Sequence, residues 1–283
     1  MSALANRPFV KMNGLGNEIL VVDLRDGTAA PTPDETRAIY ASGLTFDQLM
    51  TLEPPADGED FRTRILNLDG SEAGACGNGT RCIAWLVMQE TGQHRLEVGS
   101  PGGTLIATAG SALDQITVDM GAPRFGWSEI PLLHEVPDTS AVALDVGPLH
   151  SPAVVSVGNP HAIFWVDDVE EHDLSTLGPV LEFDPLFPER ANISLAHVTA
   201  PDALTLKVWE RGAGLTRACG TAACAAAVSA ARTGRTGRAV TVTLPGGDLH
   251  IHWRESDDHI LMTGPVETEF TGRFDPAIFG TAA

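Results

Sequence analysis

Two stretches of the chain alternate apolar and polar positions in the period-2 manner of half-buried strands, Phe61-Arg62-Thr63-Arg64-Ile65-Leu66 and Leu204-Thr205-Leu206-Lys207-Val208-Trp209. Each leads through a Gly-rich loop into a segment that is apolar nearly all round, the pattern of a helix covered on every side. The first helix is predicted from about Gly79 to Thr91 and the second from about Ala222 to Arg232, with Gly92 and Gly234 as their stops. Further strands are expected at Leu96–Val98, Leu105–Ala107, Ile116–Asp119, Val240–Leu244, Leu249–Trp253 and Ile260–Met262. Thr32-Pro33-Asp34-Glu35 reads as a capping box with proline at the first helical position, predicting a peripheral helix to about Ala41.

The two halves repeat one another. Gly16-Asn17 ahead of Ile19–Asp23 returns as Gly158-Asn159 ahead of Ile163–Asp167. Gln48-Leu49 then aligns with Asn192-Ile193, Asn67 with Glu210, Ala75-Cys76-Gly77 with Ala218-Cys219-Gly220, Pro101-Gly102-Gly103 with Pro245-Gly246-Gly247, and Pro123 with Pro265. The order is kept and the spacing stays at about 143 residues, which marks a tandem duplication. The expected fold class is therefore α+β: two homologous domains, each a curved, mostly antiparallel sheet wrapped around a central helix. Copies related by a pseudo-twofold axis place equivalent residues across the cleft between them, where the active site is expected.

Length and composition fit this picture. The 283 residues are about twice the usual single-domain prior. With 43% hydrophobic and 19% charged residues, the chain reads as an ordinary globular protein. Its formal charge of −19 and scattered arginines argue against a nucleic-acid partner. The apolar runs are too short and too often broken by charges to span a bilayer, and the N-terminus lacks a basic region followed by an apolar one, so a cytoplasmic protein is expected. Four cysteines in such a compartment should be reduced thiols.

Cys76 and Cys219 each stand where a loop delivers the chain into the start of a buried helix. Unpaired N–H groups and the helix dipole favour negative charge there and are expected to lower a thiol's pKa towards neutral pH, making a thiolate accessible. The small residues of Gly77-Asn78-Gly79 and Gly220-Thr221 let main-chain amides approach an anion such as a carboxylate. Two thiols opposed across a cleft suit removal of a proton from one face of a tetrahedral carbon and its return to the other, which is racemisation or epimerisation. Two converging helix starts would stabilise the enediolate-like charge, a role that a pyridoxal cofactor would otherwise fill. Cys82 and Cys224, inside the apolar helices, read as small buried residues. The spacings Cys76-x5-Cys82 and Cys219-x4-Cys224 do not fit a zinc site, and no metal is expected.

Four motifs resemble the diaminopimelate epimerase family: Lys11-Met12-Asn13-Gly14-Leu15-Gly16-Asn17; the run Asn67-Leu68-Asp69-Gly70-Ser71-Glu72-Ala73-Gly74-Ala75-Cys76-Gly77-Asn78-Gly79-Thr80-Arg81-Cys82; Gly158-Asn159-Pro160-His161; and Glu210-Arg211-Gly212-Ala213-Gly214-Leu215-Thr216-Arg217-Ala218-Cys219-Gly220-Thr221. The resemblance implies interconversion of LL- and meso-diaminopimelate in lysine and peptidoglycan-precursor synthesis, with no cofactor and in a homodimer. It implies that Cys76 and Cys219 are the catalytic pair. It gives the main chain of Gly77, Asn78, Gly220 and Thr221 to the reacting carboxylate, with Asn17 and Gln48 near the amino group. To the distal end it gives Asn67, Asn159, Asn192, Glu210 and Arg211, and to thiol tuning His161 and Glu210. It further implies that the segment after Val266 returns to the first domain, so that the domains are 1–122 with 267–283, and 123–266. Where the family more often has His, Asp-Phe and Gly, this chain has Asn13, Glu18-Ile19 and Ala222.

Read alone, the same residues keep other meanings open. Arg211 has the planar fork that suits a carboxylate and Glu210 can take an ammonium, but the two also fit a solvated surface pair. His161 fits an ordinary loop or core histidine, Asn17 a turn residue and Asn67 a turn cap. A proline-racemase-like enzyme, a thiol redox sensor pairing Cys76 with Cys219, and a two-lobed amino-acid binding protein are the rival readings. The first would not need Arg211 with Glu210, and the last would not need a cysteine on each lobe.

Overall fold

A computed structural model describes residues 2–56, 58–112 and 114–280. These form two compact units, one running up to Val118 and resuming at Gly264, the other Asp119–Thr263. Positions 1, 57, 113 and 281–283 of the expected domains lie outside the described residues. Among the described residues no helix is long and apolar enough to cross a membrane.

In the first unit one sheet has the strand order Glu267–Arg273, Pro8–Asn13, Glu18–Asp23, Gln48–Leu52, Ile65–Asn67, Glu72–Ala73. A second group of strands runs Gln115–Asp119, Gly103–Ala109, Arg95–Ser100, Phe61–Arg62. Helix α1 (Pro33–Ala41) makes the crossover between the parallel strands Glu18–Asp23 and Gln48–Leu52. The Thr32/Glu35 capping box opens it as predicted, Thr32 N–H donating to Glu35 Oε2 at 2.8 Å and Glu35 N–H to Thr32 Oγ1 at 3.2 Å. Helix α2 (Gly77–Thr91) lies against strands of both groups. It is buried as far as Met88, while Trp85 and Leu86 are half-buried and its last turn is exposed.

The second unit carries the same plan. Its sheet runs Ala153–Ser156, Pro160–Trp165, Asn192–Ala200, Ala203–Glu210, Ala239–Leu244, Gly247–Trp253, Ile260–Pro265, with Gly214–Thr216 paired onto Ala203–Glu210. Helix α3 (Leu174–Glu182) is the crossover and helix α4 (Gly220–Arg232) the central helix, touching six of these strands. Its run of alanines explains the close wrap: alanine is the best helix former, and its methyl lets strands approach from every side. Sequence patterning does not predict α3, because Gly178 and Pro179 sit inside it and disfavour a helix.

The duplication is written in the strand registers. Ile19 faces Gln48 in the first parallel pair and His161 faces Asn192 in the second; Leu49 faces Leu66 and Ile193 faces Trp209 in the antiparallel pairs that follow. The two glycine hairpins are tied alike, Gly102 N–H to Gly74 O at 2.9 Å and Gly246 N–H to Arg217 O at 2.8 Å. One predicted strand departs from this symmetry. Ala203–Glu210 pairs on one side with Asn192–Ala200 and on the other with Ala239–Leu244. The expected strand over Phe61–Leu66 splits these duties: Phe61–Arg62 pairs with Val98–Gly99, and Ile65–Asn67 with Gln48–Met50. Thr63 and Arg64 carry the chain from one sheet to the other, Thr63 N–H donating to Gly99 O and Arg64 O accepting from Thr51.

The turn after this strand depends on a glycine. Gly70 has φ +85°, and a Cβ there would sit 2.6 Å from Pro33 Cα in the first turn of α1. Gly27 has the same φ and open space around it. Gly70→Ala is expected to lower unfolding free energy by about 2–4 kcal/mol, backbone strain and overpacking together, and Gly27→Ala by about 1–2 kcal/mol. Urea denaturation of the two variants checks the difference; equal losses would remove Pro33 from the explanation.

Candidate active site

Both cysteines prove to be helix N-caps. The sequence pattern predicts helices from about Gly79 and about Ala222. The structure starts them at Gly77 and Gly220, with Cys76 (φ −146°) and Cys219 (φ −124°) extended at the cap. The first intrahelical bonds are Thr80 N–H to Cys76 O at 2.8 Å and Ala223 N–H to Cys219 O at 3.0 Å.

In the first unit the Cys76 sulfur accepts the Gly79 N–H at 3.2 Å. A Cβ on Gly79 would lie 2.1 Å from Met50 Sδ and 3.3 Å from Cys76 Sγ, so glycine is what lets this amide reach the sulfur. Such a capping N–H favours an anionic sulfur. Asn17 Oδ1 lies 4.0 Å from Cys76 Sγ. The Asn17 amide group lies 3.5 Å from Asp47 Oδ2, which also accepts the Glu18 N–H at 2.7 Å. Burial, the largest influence, raises the Asp47 pKa, and the Glu18 N–H works against it. Gln48 and Asn67 stand opposite one another in register, Gln48 Nε2 donating to Asn67 Oδ1 at 3.5 Å. Asn67 Nδ2 donates to Ser71 Oγ at 3.0 Å. Gln48 Oε1 is buried and has no hydrogen-bond partner among the described residues, an acceptor available to an ammonium. Asn78 is buried, its Oδ1 accepting from Arg81 Nη1 at 2.9 Å.

In the second unit the site residues form a chain of contacts ending on sulfur. His161 Nε2 lies 2.8 Å from Asn159 Oδ1, Asn159 Nδ2 donates to Thr221 Oγ1 at 3.4 Å, and Thr221 Oγ1 lies 3.4 Å from Cys219 Sγ. Burial holds His161 neutral, its pKa lowered to about 3 with the Arg211 charge adding to the effect. The single ring proton therefore sits on Nε2, where it is donated to Asn159. His161 thus reaches the thiol through Asn159 and Thr221 rather than by contact. Glu210, whose Oε1 accepts the Thr216 hydroxyl at 2.5 Å, bears on the thiol directly. Asn192 is buried with both ends of its amide engaged, Oδ1 accepting the Arg211 N–H at 3.0 Å and Nδ2 donating to Pro160 O at 3.0 Å. It shapes the turn that carries Arg211. Arg211 itself is exposed, with Nη1 donating to Glu189 O at 3.0 Å.

The expectation that both helix starts lower their thiols needs correcting for Cys219. Burial first, and the adjacent Glu210 carboxylate second, push this thiol well above its ordinary value, outweighing the Thr221 hydroxyl. The Ala222 N–H also works to lower it, though it does not complete the capping hydrogen bond that the Gly79 N–H makes to Cys76. Cys82 is likewise pushed up to about 12 by burial, in keeping with a packing role. Among the described residues no group of three or more His, Cys, Asp or Glu is placed to hold a metal ion. Asp47, Ser71, Arg81 and Thr216 support the site without having been singled out from the sequence. Ser71, Arg81 and Thr216 lie inside the motifs that carry the family resemblance, where no role was assigned to them, and Asp47 was signalled only by standing next to Gln48.

Neutral burial of His161 has a consequence for stability. In the unfolded chain its imidazole takes up a proton around 6.5, while in the folded chain it stays neutral down to about 3. Between these values the unfolded state binds the extra proton, so this contribution leaves stability unchanged above 6.5 and erodes it as pH falls, by about 1.4 kcal/mol per pH unit. Denaturation midpoints of the wild type should therefore drop more steeply than those of His161→Gln between about pH 6 and pH 4. Parallel slopes would contradict the assignment.

A family model described as diaminopimelate epimerase matches residues 9–126 and 153–269. The chain is 57% identical over its full length, and the full length of the relative, to a diaminopimelate epimerase of Bradyrhizobium sp. strain BTAi1. It is 58% identical to one of Rhodopseudomonas palustris strain BisB5, covering 99% of this chain and 97% of the relative. Among solved structures, a hydroxyproline epimerase from Agrobacterium vitis superposes with a TM-score of 0.67 at 13% identity, covering 100% of this chain and 97% of that one. A phenazine biosynthesis protein from Bacillus anthracis gives 0.67 at 16% identity, covering 95% and 98%. At these identities the two structures speak for the fold.

Proposed function

Because the chain belongs to the diaminopimelate epimerase family, we propose that it interconverts LL- and meso-diaminopimelate by a two-base proton transfer between Cys76 and Cys219. The observation that carries the reading is the repeated geometry: one cysteine caps the central helix of each copy of a duplicated unit. The chemistry requires both thiols to address one α-carbon from opposite sides. The capped sulfur of Cys76 suits the base and the thiol of Cys219 the acid. Cys76 takes the α-proton, forming S–H as C–H breaks, and the electron pair passes into an enediolate on the adjoining carboxylate. Cys219 then delivers its proton to the other face. The opposite isomer reverses the roles.

Main-chain N–H groups of Gly77, Asn78, Gly220 and Thr221 hold that carboxylate and its developing charge. Asn17 and Gln48 serve the amino group at the reacting end. Asn67, Asn159, Asn192, Glu210 and Arg211 grip the distal amino-acid head. His161 tunes Cys219 through Asn159 and Thr221, and Glu210 tunes it directly. In this reading the enzyme works without pyridoxal phosphate, as a homodimer in the cytoplasm, in lysine and peptidoglycan-precursor synthesis.

The test is to incubate reduced protein with LL-diaminopimelate, and separately with L-proline, without pyridoxal phosphate, and to separate stereoisomers chromatographically. A mixture of LL and meso isomers with untouched proline is the expected result. Folded protein that leaves diaminopimelate unchanged, or racemises proline instead, would sink the proposal.

A further inference from the structure

We propose that Glu182, at the C-terminal end of α3, is a positioning residue for the Glu210–Arg211 pair. The substrate it helps to select rests on the epimerase reading; the positioning itself does not. Its carboxylate is 3% exposed, and both oxygens are occupied by donors that flank the pair. Oε2 accepts the indole N–H of Trp209 at 2.7 Å, one residue before Glu210. Oε1 accepts the main-chain N–H of Gly212 at 2.9 Å, one residue after Arg211, and lies 3.4 Å from Arg190 Nη1. A buried carboxylate with a donor on each oxygen is a strong anchor, because hydrogen bonds to an ionised group exceed those between neutral groups.

Two further details give the anchor one geometry. Trp209 lies close against α3, an approach that glycine at 178 permits, since a Cβ there would lie 2.5 Å from its Cγ. Gly212 takes φ +78°, a conformation that suits glycine and turns its N–H onto Glu182. The Glu210 carboxylate has its own hold, the Thr216 hydroxyl. Loosening at Trp209 and Gly212 therefore acts chiefly on Arg211, whose only other main-chain tie among those described is the Asn192 amide. The first unit treats the equivalent turn differently: there an exposed α1 residue, Arg37, donates to Asp69 O at 2.7 Å. A buried carboxylate anchor belongs to the copy whose turn carries the charged pair.

Glu182→Gln isolates the effect. An amide can accept on one side only, so its NH2 group confronts either the Trp209 or the Gly212 donor and one anchor is lost. With diaminopimelate as substrate, KM should rise about tenfold or more while kcat stays within about threefold. The Gly212 and Arg211 amides should lose protection against hydrogen exchange, with the strand Asn192–Ala200 unchanged. Trp209→Phe removes the indole donor together with ring atoms that lie over Gly214 and should raise KM in the same sense; with the loss of exchange protection at the Gly212 and Arg211 amides it decides the matter if Glu182→Gln does not fold. Unchanged KM and unchanged local exchange in a folded variant would overturn the proposal. If the wild type does not epimerise diaminopimelate, the functional reading falls and the exchange data alone judge Glu182.

Discussion

Replacement of Cys219 by alanine is expected to lower epimerisation by on the order of 10³-fold while the protein stays folded. The side chain is nearly fully buried at the start of a helix rich in small residues, with the Thr221 hydroxyl and the Glu210 carboxylate acting on its sulfur. In the proposed two-base mechanism its truncation removes only one small sulfur atom from the core but takes away the proton that the second face requires. Cys76→Ala should fail equally, because each direction of the reaction needs one sulfur as base and the other as acid. Circular dichroism and a thermal midpoint within a few degrees of wild type certify the fold, and isomer ratios over time give the rate. Turnover near the wild-type rate in either folded variant would remove that cysteine from the mechanism.

The second large effect is expected from Glu210→Gln. The carboxylate contributes a like charge beside Cys219, second only to burial in raising that thiol. Neutralising it must lower the thiol pKa, so the thiolate of Cys219 should appear at lower pH. Thiolate absorbance or alkylation rate, measured against pH in a Cys76→Ala background, reads the shift. The same substitution removes the anion proposed to take the distal ammonium, at a loss of about 10–100-fold in kcat/KM for diaminopimelate. A titration that stays put would mean that burial alone sets Cys219. A titration that moves with kcat/KM intact would place the distal ammonium elsewhere.

What the sequence made legible was what repetition and local patterning encode. The paired Ala-Cys-Gly segments pointed to two helix starts, and the registers around Gln48 and Asn192 follow the alignment of the two halves. The Thr32–Glu35 capping box was readable because capping is local chemistry. The rest depended on contacts distant in sequence. The break at Thr63–Arg64 follows from which sheet lies on each side, information that an alternating pattern does not hold. Helix α3 hides behind Gly178 and Pro179, and it is tertiary packing on Trp209 that retains it.

The electrostatics show the same boundary. A helix start implies a lowered thiol, and sequence alone has no means of weighing it against burial and the Glu210 charge at Cys219. Similarly, His161 is recognisable as a residue near the site, but its neutrality and its path through Asn159 and Thr221 come from depth and distance. Duplicated chemistry has in this way become two unlike thiols. Cys76 is capped by an amide and half-exposed; Cys219 is buried beside a carboxylate.

That difference matters most for the origin of the proton that reaches the product. The decisive measurement is to start from LL-diaminopimelate in heavy water, stop at low conversion, and determine deuterium at the α-carbon of product and recovered substrate separately. Two opposed sulfurs predict a deuteron in nearly every meso product molecule, donated by the solvent-exchanged thiol, and almost none in the recovered LL isomer. Product that keeps its original hydrogen, or substrate labelled as fast as product, would show a single base acting on both faces and contradict the two-cysteine account.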